Sequence, residues 1–239
     1  MKTKYSLLIE LPITDSTNKY AERNLQKLPN KSIIFAHYQT NGKGTGSNSW
    51  HSQKNKNLLL SVIIKQQIPI TKQLALLQTT ALAIIDYLQY HKIQGKIKWP
   101  NDILVNSKKI CGILIENKIN STLISTSIIG IGININQTLF PPEINATSLK
   151  LLKNKELDII TELFTLKNFI FKRLQTLNNH NLSTEYQQKL YNYKSIQWFK
   201  TQYTKFQAVI EGIDEFGRLK LKVNNKIQTF NFKEIEFIL

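Results

Sequence analysis

Residues 98–116 read Lys-Trp-Pro-Asn-Asp-Ile-Leu-Val-Asn-Ser-Lys-Lys-Ile-Cys-Gly-Ile-Leu-Ile-Glu, and this stretch leaves little choice of local fold. Pro100 fixes its own φ and pushes Trp99 toward extended geometry. Asn106-Ser107 separates two β-prone runs, so the unit is predicted to be a β-hairpin. Such a hairpin brings an acid, Asp102, near a base, Lys109, across a sheet. Gly112 leaves room for a ligand against the backbone. On these residues alone, an ordinary hairpin with a charged tip fits as well as a ligand site.

A second stretch shifts the balance. Residues 39–50 read Gln-Thr-Asn-Gly-Lys-Gly-Thr-Gly-Ser-Asn-Ser-Trp, with glycines at 42, 44 and 46. Alternation with Lys, Thr, Ser and Asn predicts a mobile, donor-rich backbone able to wrap an anion with N–H groups and one ammonium. The Gly-Lys-Ser/Thr ending of a Walker loop is missing. A strand, Leu58 to Lys65, follows where a dinucleotide fingerprint would have a helix. A plain flexible surface loop is the competing reading.

At 239 residues the chain can bury a sizeable core, in one domain or one plus a small appendage. No apolar run reaches membrane-spanning length, and no signal peptide is read at the start. The one cysteine, Cys111, excludes an internal disulfide and argues against a cysteine-ligated metal. Both fit a cytoplasmic location. The net charge of +16 invites a nucleic-acid partner, but arginine occurs only at 23, 173 and 218. Base readout leans on arginine forks. The lysine excess runs along the whole chain, so neither a specific nucleic acid nor a membrane is expected as partner. A positive field would still draw in nucleotide phosphates and an acidic protein.

Periodicity predicts a helix from Asp15 or Ser16 to about Leu28, with Tyr20, Ala21, Leu25 and Leu28 on one face. Strands follow at Ser32–Tyr38 and Leu58–Lys65, then a long helix from Thr71 to His91 packed on a sheet. Ser121–Asn136 reads as one long strand broken by Gly130 and Gly132. Helices are expected over Glu156–Asn179 and from a Ser183 cap to about Tyr193. From Phe206 the pattern turns to short strands, Gln207–Ile213, Arg218–Val223 and Lys226–Phe232, with Asn224-Asn225 in a turn. The fold class is α+β, a mixed or antiparallel sheet followed by a small SH3-like barrel. The domain division is 1–190 and 191–239.

Taken together, these motifs resemble the biotin protein ligases, also called biotin–acetyl-CoA-carboxylase ligases. The resemblance runs over most of the chain. It takes in Asp15-Ser16-Thr17-Asn18, Gln39 and the glycine loop to Trp50, Lys98 to Asp102, and Lys109 to Gly112. Gly130-Ile131-Gly132-Ile133-Asn134 and a Gly-Ile-Asp-x-x-Gly-x-Leu segment at 212–219 complete it. The chain starts directly in the catalytic fold, so the winged-helix repressor module of some members is expected to be absent.

The resemblance implies a two-step reaction: biotin and ATP give biotinyl-AMP and pyrophosphate, then biotin passes to a lysine of a biotin carboxyl carrier protein. Two anions meet in the first step, which calls for lysines, N–H groups and Mg²⁺ carried on the ATP phosphates, with no certain protein ligand for the metal. By resemblance Lys109 contacts the biotin carboxylate and the acyl phosphate. Ser16, Thr17, Asn18, Gln39 and Gly42 fall at the biotin head group, where short hydroxyl and amide partners suit a ureido ring. Gly112, Gly130 and Gly132 let biotin lie flat on the sheet. Lys43, Gly44, Thr45, Trp50, Asn101 and Asn134 fall at the ATP and adenylate. Lys43, Lys109 and Asp102 form the catalytic set.

Bland roles compete at three places. Ser16 reads equally as a helix cap, Gly130 and Gly132 as a bulge, and Trp50 and Asn134 as core or turn residues. Asp102 either deprotonates the carrier amine, orients it, or positions Lys109. One departure stands out. Thr45, Gly46 and Asn48 occupy positions where many members have arginines, which predicts a loosely held adenylate. The alternatives are a lipoate or octanoate ligase of the same fold, whose Arg-Arg-x-x-Gly-Gly-Gly signature is missing, and a nucleic-acid-binding module. Oligomeric state, including a homodimer, stays open.

Overall fold

A computed structural model describes residues 7–238. A sheet of eight strands forms the body. In chain order come β1 (Leu8–Leu11), α1 (Thr17–Arg23), β2 (Ile33–Ala36), β3 (Asn57–Ile64) and β4 (Ile68–Pro69). A 3₁₀ turn (Ile70–Lys72) leads into α2 (Gln73–Tyr90), followed by β5 (Lys96–Lys98), β6 (Asp102–Val105), β7 (Lys108–Asn120) and β8 (Leu123–Asn134). Three helices follow, α3 (Leu149–Lys153), α4 (Ile159–Leu174) and α5 (Leu182–Gln188). A second sheet holds β9 (Ile196–Lys200), β10 (Lys205–Ile213), β11 (Leu219–Val223), β12 (Lys226–Phe230) and β13 (Glu236–Phe237).

The main sheet runs β1-β2-β3-β8-β7-β6-β5, with β4 paired to β8. β1 and β2 are parallel and the other pairings antiparallel, so the sheet is mixed, as expected. Every residue of β3 is buried, because both faces of the sheet are covered. That explains its continuous apolar run, in place of alternation. One face packs on α2 and α4. The other carries α1, whose Ala21 joins Leu28, Ile34, Ile63 and Ile128 in a small core of its own.

The predicted hairpin forms around Asn106-Ser107, both at positive φ (49° and 61°), as a two-residue turn of the primed kind requires. Its pairing is not regular. Asp102 faces Gly112 and Ile103 faces Cys111, but Leu104 faces Lys109, so Ile110 is the extra residue of a β-bulge. β8 is one unbroken strand through Gly130 and Gly132, contrary to the expected break. Unbroken pairing with both β3 and β7 carries it past the two glycines.

Helix ends depart from expectation in α1, α4 and α5, with α4 running Ile159–Leu174 where Glu156–Asn179 is expected. α1 stops at Arg23 and continues as turns to Lys27. Ser183 lies inside α5, whose N-cap is Asn181. Asp158 caps α4 by accepting the Thr161 N–H at 2.8 Å. The second sheet, order β12-β11-β10-β9-β13, is the SH3-like unit, turned at Asn224-Asn225. It is joined to the body by a shared core in which Phe199, Ile210 and Leu221 belong to the same cluster as Leu82 and Ile97.

Candidate active site

A cavity of about 560 Å³ opens on the α1 face of the main sheet, between the glycine loop, the β6–β7 hairpin and the second sheet. Its polar end is built by the α1 entrance. Ser16 is the N-cap residue of α1, yet its hydroxyl makes no capping bond and lines the cavity instead. Gln39 Oε1 accepts the Thr17 N–H at 2.7 Å, which leaves the Gln39 amide nitrogen for a ligand. Asn18 lies over Gly130: a Cβ there would come within 2.5 Å of Asn18 Oδ1.

The other end is charged. Lys109 Nζ sits 2.7 Å from Asp102 Oδ1 and 5.4 Å from the centre of the Trp50 ring. Residues three apart on a regular strand point to opposite faces, so Lys109 and Gly112 would be separated without the Ile110 bulge. The bulge brings Gly112 onto the face that Lys109 shares with Asp102 across the two-residue turn. The backbone of Lys109 is clamped as well: its N–H donates to Asn145 O and its carbonyl accepts from Thr147 N–H, each at 2.9 Å. Lys98 lines the same end, 5.7 Å from the Phe237 ring centre. Burial pushes its ammonium pKa down, with the Asp102 charge opposing.

Several residues expected at the site are placed differently. Asn134 is buried and does not line the cavity. Its amide donates to Thr147 O at 3.0 Å, behind Lys109, because the end of β8 is packed under the 145–148 segment. Gly42 does not line it either. Its missing side chain lets the Trp50 carbonyl approach to 2.6 Å of where a Cβ would stand. Gly112 and Gly132 face the Trp50 indole, not open space: a Cβ at Gly132 would meet that ring at 2.5 Å. The glycine loop is drawn into a small hairpin, in contrast to the expected open anion wrap. The Gly44 N–H donates to Asn48 O and the Trp50 N–H to Gly42 O, so both donors are committed within the loop.

Lys43, Gly44, Thr45, Trp50 and Asn101 do line the cavity. Asn101 ties the loop to the sheet, donating to Thr45 Oγ1 at 2.7 Å and to Ile113 O at 2.6 Å. Sequence reading missed the second sheet's share. Phe232, Lys233 and Glu236 line the cavity, and the Lys233 ammonium lies over Gly46, where a Cβ would meet it at 2.5 Å. Trp99 holds that sheet in place, donating from Nε1 to Gly217 O at 2.8 Å with its ring edge-on to Phe232. Among the described residues, no group of three or more His, Cys, Asp or Glu side chains is placed to hold a metal. No helix among them is long and apolar enough to cross a membrane.

This architecture is that of the biotin protein ligases. The ligase from Aquifex aeolicus, solved in complex with biotin and ATP, superposes with a TM-score of 0.80 at 23% identity, over 98% of this chain and 99% of that one. Residues 10–134, just over half of the chain, match the Biotin/lipoate A/B protein ligase family, and the chain belongs to that family. Over 157 residues it is 38% identical to the bifunctional ligase/repressor BirA of Bacillus spizizenii, covering 63% of this chain and 48% of that protein. Over 125 residues it is 30% identical to the biotin–[acetyl-CoA-carboxylase] ligase of Paracoccus denitrificans, covering 51% and 52%. The chain spans about half the length of these curated relatives.

Proposed function

We propose that the chain is an ATP-dependent ligase that adenylates biotin and passes it to a lysine of a biotin carboxyl carrier protein. The observation that carries this reading is the Lys109–Asp102 pair, which the bulge sets on the same sheet face as Gly112, beside the Trp50 ring. Biotin lies with its ureido ring between Ser16, Thr17 and Gln39 and its carboxylate at Lys109. A carboxylate oxygen attacks the α-phosphorus of ATP, and pyrophosphate leaves. Lys109, Lys98, Lys43 and Lys233 offset the charge of two meeting anions, and such fixed charges act most strongly on the developing negative charge of the transition state. Mg²⁺ enters with the ATP phosphates as part of that substrate; among the described residues the cavity offers the Asp102 and Glu236 carboxylates.

In the second step the carrier amine attacks the acyl carbon and AMP leaves. The 2.7 Å contact with Lys109 favours an orienting role for Asp102. The net charge of +16 suits an acidic carrier, in the cytoplasm. Residues 1–190 form the catalytic unit, and residues 191–239 form the cover that Trp99 fastens. Incubation with ATP, biotin and an apo carrier domain should add one biotin to one lysine, read by mass spectrometry. Equal or better transfer of octanoate or lipoate would replace this reading by the lipoate one.

A further inference from the structure

Behind the polar end of the cavity lies a chain of hydrogen bonds that begins at a carboxylate outside it. Glu116 Oε2 accepts from Asn18 Nδ2 at 2.7 Å. A carboxylate only accepts, so the amide must turn its nitrogen to Glu116 and its oxygen the other way. That oxygen lies 2.5 Å from Ser61 Oγ, which in turn lies 2.8 Å from Thr17 Oγ1. Ser61 is fully buried at 0% exposure and Asn18 nearly so at 3%. A hydroxyl carries one proton. Asn18 Oδ1 can only accept, so the Ser61 proton goes there. The Thr17 hydroxyl then has two acceptors for its own proton, Ser61 Oγ at 2.8 Å and Gln39 Oε1 at 3.1 Å, the nearer being Ser61. With either one, Thr17 Oγ1 is left with lone pairs only.

We infer that Glu116 and Ser61 are positioning residues that fix the donor–acceptor polarity of the head-group pocket through Asn18 and Thr17. The inference rests on the biotin reading above. With its proton held by Ser61 or Gln39, Thr17 presents an acceptor to the cavity, matching a ureido N–H. Gln39, whose oxygen is held by the Thr17 N–H, presents a donor, matching the ureido carbonyl. Neither Glu116 nor Ser61 lines the cavity. Sequence periodicity supports the arrangement: Gly112, Leu114 and Glu116 share one face of β7, and Ser61 is paired with Gly130 across β3 and β8.

The test measures biotin binding, and the KM values for biotin and ATP, in the wild type, Glu116→Gln, Ser61→Ala and the double variant. Glutamine can offer Asn18 either end of its amide, so the direction of the chain is no longer imposed. Each single variant should weaken biotin binding and raise its KM about tenfold, the loss of one well-placed hydrogen bond, with the KM for ATP within twofold. The two residues touch Asn18 and not each other, yet both changes break one relay. The double variant should therefore be no worse than the worse single variant. Multiplied losses, or losses shared equally by ATP, would overturn the inference while biotin binding by the wild type stands. Absence of biotin binding by the wild type would overturn the functional reading and the inference with it. Unfolding of Ser61→Ala leaves Glu116→Gln, whose side chain is isosteric and half-exposed, to decide: unchanged biotin affinity there also refutes the proposal.

Discussion

Single residues set what this cavity admits. Gly132 is the tightest case, since its ideal Cβ would stand 2.5 Å from the Trp50 ring. Gly132→Ala must shift the indole or the strand, and overpacking of this kind costs about 1–3 kcal/mol. The expected outcome is a lower melting temperature together with biotin affinity weakened by at least tenfold. A variant with both values unchanged would show that Trp50 has other space to occupy. Lys109 and Gly112 share a face because of Ile110. Counting by twos along the sequence sets Lys109 and Gly112 on opposite faces, and nothing in the residue types announces the bulge that reunites them. The Asp102–Lys109 pairing was legible all the same, because a two-residue turn at Asn106-Ser107 fixes which residues can meet.

Among the elements, the glycine loop and the second sheet work together. The loop contains no arginine, whose forked contacts to phosphate lysine cannot copy. Lys233, supplied from the far end of the chain, stands over Gly46 and adds a cation at that place. Each missing charge-assisted bond weakens retention of a phosphate by about 1.5–3 kcal/mol. Lys233→Ala should therefore speed release of preformed biotinyl-AMP by roughly tenfold or more, and Thr45→Arg should slow it. Stopped-flow release rates for these variants, set beside an arginine-rich relative, check both. An unchanged rate in Lys233→Ala would leave Lys43 and Lys109 as sufficient.

Sequence patterns gave no sign of this contact. Positions 46 and 233 are 187 residues apart, and local periodicity carries no information about such a pairing. Short elements escaped for a related reason. β1, β9, β13 and α3 run two to five residues, too few to show a period. The long helices and the hairpin, which carry strong local signals, formed close to where their residues predict them. Asn134 and Gly42 misled because their residue types fit a ligand-facing and a packing role equally, and only tertiary packing separates the two.

At the scale of the whole molecule, one core joins both sheets, and a buried polar cluster crosses the helical layer. Glu162 on α4 accepts from Tyr87 at 2.5 Å and pairs with His91 at 2.8 Å, both on the α2 side, with Lys153 Nζ 3.3 Å from His91 Nδ1. Burial pushes the Glu162 carboxyl up, but the His91 and Tyr87 hydrogen bonds together outweigh it, so its pKa lies below the ordinary glutamate value. A carboxyl depressed in the folded state stabilises fully above its unfolded pKa, roughly 4.3. That stability is lost as pH falls through the lower folded value. Glu162→Gln should lower stability at pH 7 by about 1–3 kcal/mol and flatten the acid limb of the stability curve. Urea midpoints from pH 7 down to pH 3 measure it, and an equally steep acid limb in the variant would assign the acid sensitivity to other groups.

Adenylation at Lys109 is the centre of the account, and exchange of labelled pyrophosphate into ATP tests it most directly. The wild type should exchange only when biotin is present. Lys109→Ala, folded and with a melting temperature near that of the wild type, should lose at least a hundredfold, since one charged contact to a developing oxyanion is worth roughly 3 kcal/mol. Biotin-independent exchange in the wild type, or near-normal exchange in a folded Lys109→Ala, would contradict it.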